Sequence, residues 1–277
     1  MAVNNRGPVD APTIYAAFKM PPEQAIEYLK SKGVVVSDGW TDLWREAHSR
    51  AFTVAQSAGF DVAGDIRDAL VKALEDGQPY EEFRKDVEPV LRAKGWWGKA
   101  IDPETGEITK MYPGTTRPVE YGTPARLRLI YEQNLQTAYM AGRFRAMMAA
   151  ADSHPFWQYT AVMDSRTRPA HAAMHGRVFR YDDVAWGVVF PPCGWGCRCR
   201  AIPLSYRDVE RDGLTVESAA GHIEEVTVID RRGQPRLLPN GQPMTVRQIR
   251  LPDMPRPFRP DPGWDYNAAA NYPRMAA

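Results

Sequence analysis

Up to about residue 150 the apolar positions of this chain recur every three or four residues, as in helices with one buried face. Beyond it they mostly alternate, as in strands. The first spacing predicts helices over residues 22–32, 41–57, 61–76, 79–94 and 124–150. The second of these would carry Leu43, Trp44, Ala47, Ala51 and Val54 as its stripe, capped by Ser37 or Thr41. The third carries Ile66, Ala69, Leu70, Ala73 and Leu74 and ends on Gly77. The fourth carries Tyr80, Phe83, Val87, Val90 and Leu91, and Pro89 is expected to kink or interrupt it by removing a backbone donor. On the longest, Asn134 shares a face with Leu127, Ile130, Tyr131, Ala138 and Ala141, so its amide needs partners; a hydrogen-bonded core amide is expected.

The alternating second half predicts strands over 157–163, 177–181 and 198–204, and hairpins over 225–230 and 236–250 with a tight turn at Asn240-Gly241. The fold class expected is α+β: a helical N-terminal half, then a small mixed α/β domain with β-hairpins, with extended arms at both ends. The segments are an N-terminal arm 1–20, a helical domain 21–150, an α+β core 151–251 and a Pro-rich arm 252–277. The last holds six prolines, and both arms are expected to order only on a partner. Paired Trp96 and Trp97 are costly to expose, so they are expected to pack against the helices or a neighbouring subunit.

Composition narrows the classes. With 277 residues, 44% hydrophobic and 25% charged, the chain can bury a core. A net charge of +1 gives no global case for nucleic-acid binding. No run is apolar enough to span a bilayer, and the start of the chain lacks the apolar stretch of a signal peptide. Three clustered cysteines argue against a secreted disulfide framework.

All three cysteines, Cys193, Cys197 and Cys199, fall between Asp164 and Ser205 with His171 and His175. Cys197 and Cys199 are two apart, so on a strand they share a face, and the Gly194-Trp195-Gly196 turn folds Cys193 towards them. His171 completes four donors of the kind tetrahedral zinc takes. Three readings stay open: a metal site, reduced thiols packed beside a hydrogen-bonded histidine, or a redox or disulfide role. Asp164, Arg166 and Arg168 alternate, as in a charge network tying a strand to a turn. Cysteine, His171 and Asp164 are also the residue types of a thiol nucleophile, base and orienter, a set that any cysteine and histidine in one domain can supply.

The stretch D-S-R-T-R-P-x-H…G-x-V-F, followed by P-P-C-G-W-G-C-R-C, resembles the Mu F-like head-morphogenesis family of tailed phages, which includes minor head proteins of the SPP1 type. Its residues here are Asp164, Arg166, Arg168, His171, Gly176, Pro192, Cys193, Gly194, Trp195, Cys197, Arg198 and Cys199. Asp65-Ile66-Arg67, Phe83-Arg84, Gly95-Trp96-Trp97-Gly98, the run 128–143 that includes Asn134 and Arg143, and P-G-W-D-Y-N at 262–267 agree with the Mu-like branch. The resemblance implies a minor capsid protein of the virion, assembled in the host cytoplasm beside the portal, with portal, major capsid or scaffold proteins as partners. It also implies possible contact with packaged DNA, retention in the head or ejection with the DNA, and no membrane. Many relatives carry C-x-x-C upstream and H-x-x-C-x-C downstream, a zinc set. Here Arg168 and His171 stand at the two upstream positions, Gly194 stands at the downstream histidine, and Cys193 lies one place earlier. Either Cys193 restores a fourth ligand to structural zinc, or the knot is metal-free.

The leading reading is a structural, non-enzymatic assembly protein. The alternative is a metal-dependent hydrolase or nuclease centred on His171, His175 and the cysteines, with Asp164 or Asp182 as base. A third is a DNA-packaging accessory using patches such as Arg231-Arg232.

Overall fold

A computed structural model describes residues 23–270. Its class is α+β, with helices dominating before residue 150 and short strands after it. Among these residues no helix is long and apolar enough to cross a membrane. The expected N-terminal arm, 1–20, lies outside them. Of the described residues, 23–40 with 52–135 make one compact unit, and 41–51 with 136–270 another. The division falls inside the longest helix rather than after residue 150, where the change of period suggested it.

The first unit is built from α1 (Glu23–Lys30), α2 (Ala63–Glu75), α3 (Tyr80–Ala93) and the start of α4 (Pro124–Ala149). Its core is the set of stripes expected: Leu29, Ile66, Leu70, Leu74, Phe83, Val87, Leu91 and Tyr131 are all buried. α3 runs through Pro89. Pro89 and Lys85, whose carbonyl loses its donor, are both exposed, so water can replace the missing bond. Glu88 also braces the turn, taking Arg84 at 2.8 Å and Arg92 at 2.7 Å. Trp96 is fully buried, its indole N–H donates to the Gln56 carbonyl at 2.6 Å, and the Arg126 guanidinium lies over its ring. Trp97 is half-buried under Arg92. The indole pair therefore packs within the helical unit.

The helix expected over 41–57 does not form. Only one turn, Ala47–Arg50, is helical, and the chain is extended at Ala51–Phe52. Arg45 and Gln56 sit at φ 46° and 61°, in left-handed backbone that ends a helix. In the second unit the Arg45 side chain bonds Asp265, Glu225 and Thr245, and these anchors outweigh the local helical stripe.

The second unit holds a four-stranded sheet of β1 (Phe156–Thr160), β2 (Val178–Arg180), β3 (Arg200–Leu204) and β4 (Val216–Glu217) in the order β3-β1-β2-β4. β1 pairs antiparallel with β2 and β3, with Trp157 opposite Phe179 and Pro203, and β2 pairs parallel with β4. Period two sends Trp157 and Tyr159 inward, and both are fully buried. Phe144 of α4 meets Trp157 and Phe190 edge-on, with centroids 5.6 and 5.1 Å apart. A second, two-stranded sheet pairs β5 (Ile223–Thr227) with β6 (Thr245–Ile249). The chain between them makes two tight turns, and at the second Gln242 N–H donates to the Asn240 side chain with Gly241 at φ 80°.

The Pro-rich tail is a correction to the arm that was expected. Through residue 270 it is irregular, yet it packs on the second unit: Met254, Phe258, Asp265, Tyr266 and Asn267 are buried. Phe258 exchanges both backbone hydrogen bonds with Ile249. Prolines keep the chain extended, and its apolar anchors fall at irregular spacings that no periodic template detects.

Candidate functional site

Three segments meet at the cysteines: β1, the short helix α5 (Pro169–Met174) and the loop from the helix α6 (Trp186–Val189) to β3. Pro169 at the first position pre-sets the backbone for α5, whose single turn carries His171 inward while Arg168 precedes it in extended conformation. Gly176, at φ 87°, turns the chain out of α5 and returns its N–H to the Tyr159 carbonyl at 2.9 Å. Pro192, on a cis bond after Pro191, leads into Cys193.

The structure brings His171, Cys197 and Cys199 together, with one donor atom from each within 4.8 Å of the others. His171 Nδ1 lies 3.4 Å from Cys199 Sγ and 3.8 Å from Cys197 Sγ. Cys193 stands outside that trio, its thiol donating to the Val189 carbonyl at 3.1 Å, although it reaches the Cys197 sulfur. All three cysteines are free and buried, and His171 is 4% exposed, so no substrate-sized group reaches these atoms. Hydrogen bonds from Cys193 and Cys199 hold Cys197 well below the usual thiol value, because donors favour the thiolate. Burial pushes Cys193 and Tyr159 up, and donation to Cys197 pushes Cys199 up.

The Asp164 network forms as a buttress beside the trio. Both terminal nitrogens of Arg198 meet the Asp164 carboxylate, which also accepts from the Arg166 N–H at 3.0 Å, with the Arg166 side chain 3.8 Å away. This fork holds Asp164 below the usual carboxylate range. Arg143 donates to the Ala201 carbonyl at 2.7 Å and buried Gln136 to the Cys199 carbonyl at 3.2 Å, tying α4 to β3 and to the end of the cysteine loop that leads into it. Asn134 bonds its own helix at the Ile130 carbonyl and is half-buried; the core amides are Gln133 and Gln136. His175 is exposed and accepts from the Ala161 N–H, and Asp182 pairs with Arg180 at the surface, so neither joins the cluster.

Several residues here were not foreseen. Tyr159 places its hydroxyl 3.2 Å from His171 Nδ1, and Phe258 sets its ring edge-on to His171 at 5.2 Å. Asp261 accepts from Arg168 Nη1 at 3.0 Å and from the Trp195 N–H at 3.0 Å. Tyr159 was visible as an inward strand position, but nothing in the spacing marks Asp261.

The donors present meet the spacing of a zinc site but not its protonation. Zn–N and Zn–S bonds of about 2.0–2.3 Å put tetrahedral ligands roughly 3.6 Å apart, which the two separations from His171 Nδ1 to sulfur, 3.4 and 3.8 Å, match. The protons do not match. Arg168 Nη1 lies 3.4 Å from His171 Nε2, and a guanidinium only donates, so Nε2 must accept. The hydrogen-bond network thus assigns the proton to Nδ1, the atom that faces the sulfurs, so a metal there would have to displace it and turn the Nε2 proton towards a cation. With Cys193 turned to Val189, the four-ligand zinc set does not fit.

Comparison with known proteins gives the lineage. The family model described as Phage Mu protein F like protein matches residues 64–202, half of the chain. The chain is 38% identical over 253 residues to the "Putative capsid assembly protein F" of Escherichia phage Mu, covering 91% of this chain and 55% of that protein. It is 36% identical over 234 residues to the "Mu-like prophage FluMu F protein" of Haemophilus influenzae, covering 83% and 52%. The chain thus spans about half the length of the curated relatives it matches. No solved structure matches.

Proposed function

Because this chain belongs to the Phage Mu protein F like family, we propose that it serves in phage head morphogenesis as a structural component rather than an enzyme. The observation that carries this is 38% identity, over 91% of the chain, to a protein named for capsid assembly. The site agrees with a structural role. Its thiols and imidazole are buried, and Asp164 is engaged by Arg198.

In this reading the protein acts beside the portal during procapsid assembly in the host cytoplasm. Its partners are portal, major capsid or scaffold proteins, and it stays in the head or leaves with the DNA. The test is a phage carrying a stop codon in this gene, with particles imaged and the wild-type virion quantified by mass spectrometry. Defective heads, with a few copies per wild-type particle cross-linking to the portal, are expected. Normal infectious heads without the protein would overturn the assembly role. A nuclease or hydrolase activity lost on His171→Ala would overturn the non-enzymatic one.

A further inference from the structure

Arg168 and Asp261 lie 93 residues apart in sequence and meet at the mouth of the cysteine cluster. Arg168 Nη1 serves His171 Nε2 at 3.4 Å and Asp261 Oδ1 at 3.0 Å, while Nη2 donates to the Trp195 carbonyl. The other Asp261 oxygen takes the Trp195 N–H at 3.0 Å, and the Asp261 N–H donates to the Cys193 carbonyl at 3.0 Å. One ion pair thus joins α5, both sides of the cysteine loop and the tail.

We propose that this ion pair, in place of a metal ion, closes the His171–Cys197–Cys199 cluster, which is a hydrogen-bonded knot that takes up no zinc. Three observations carry it. The guanidinium selects the imidazole tautomer whose proton points at the sulfurs, whereas a metal-bound histidine presents its second N–H to an acceptor, not to a cation. Tyr159 supplies the neighbour that Nδ1–H then needs, at 3.2 Å, from a position beside the ring that a fourth ligand would compete for. Finally, the loop is shaped to the ion pair. A Cβ on Gly194 would sit 2.3 Å from Asp261 Oδ2 and 2.6 Å from Arg168 Nη1, so a side chain there and the ion pair are mutually exclusive.

The experiment has two arms. Long-range proton–nitrogen NMR of the His171 ring reads the tautomer, and elemental analysis of protein purified without chelator, then mixed with equimolar zinc chloride and dialysed, reads the metal. Expected are a proton on Nδ1, well under one zinc per chain, and a Tm unmoved by zinc or chelator. A proton on Nε2, or about one retained zinc per chain with a chelator-sensitive Tm, would overturn the proposal. In the second arm, Arg168→Ala and Asp261→Asn should each lower Tm by roughly 2–8 °C, and the double variant should lose no more than the worse single one. Additive losses would show that the two residues do not act as one closure. If either variant fails to fold, the wild-type tautomer and zinc content still decide the matter.

Discussion

Asp164 grips both terminal nitrogens of Arg198, at 2.8 and 2.7 Å, and so joins the turn that follows β1 to the middle of the Cys197-Arg198-Cys199 triplet. The two cysteines are buried on either side of an arginine that is only half-buried. The buried sulfurs and the half-exposed ion pair therefore hold the segment that leads into β3 from opposite sides.

That fork sets a pH dependence. The Asp164 carboxyl is held below its unfolded value by Arg198, so in the acid window between the two values the unfolded chain binds the extra proton. Stability from the pair is complete above the ordinary carboxylate range and is lost as pH falls through the depressed value. Asp164→Asn should be less stable than wild type at pH 7, and the gap should close on acidification. Thermal melts from pH 7 to pH 2 check this; a constant gap would contradict it.

Lys32 gives a rise of the same sign on the alkaline side. It is buried, and burial lowers its pKa to about 7. From there up to the ordinary lysine value the unfolded chain holds a proton that the folded chain lacks, so stability rises with pH across that window. Lys32→Met should be more stable than wild type at pH 6 and should flatten the rise. Denaturant titrations at pH 6, 8 and 10 would show both effects.

Trp96 should be the costlier of the two indoles. Trp96→Ala removes a fully buried ring and strands the Gln56 carbonyl, a loss of about 3–5 kcal/mol. Trp97→Ala removes a half-buried ring under Arg92 and should cost well under half of that. Equal losses in urea unfolding would contradict the assignment.

Asp265 is fully buried between Arg45 at 3.0 Å and Arg247 at 3.4 Å. Asp265→Asn leaves two guanidinium groups short of their counter-charge and should cost about 3–5 kcal/mol. Limited proteolysis should then cut first within 252–270. Unchanged cleavage there would mean that the tail is held by its apolar anchors alone.

What was legible in the sequence follows from where the physics is local. The α2 stripe and its Gly77 cap are short-range, and the helix came out at Ala63–Glu75 against the expected 61–76. The trio was legible because two cysteines two apart, just before β3, are buried together, with half-buried Arg198 between them. The 41–57 segment was misread because Arg45 adopts left-handed backbone to reach partners some 180 to 220 residues away, a preference no local window contains. Asp261 was invisible for the same reason: its partner lies 93 residues upstream.

The placement of Phe258 bears on the order of events as the chain is made. Its ring covers His171 and Tyr159, and its backbone pairs with Ile249, so the cluster's last wall arrives long after its first residues have left the ribosome. Until then His171 and Tyr159 lack the ring that packs edge-on against both. The second unit is accordingly closed from its C-terminal side, by a residue 59 positions beyond Cys199.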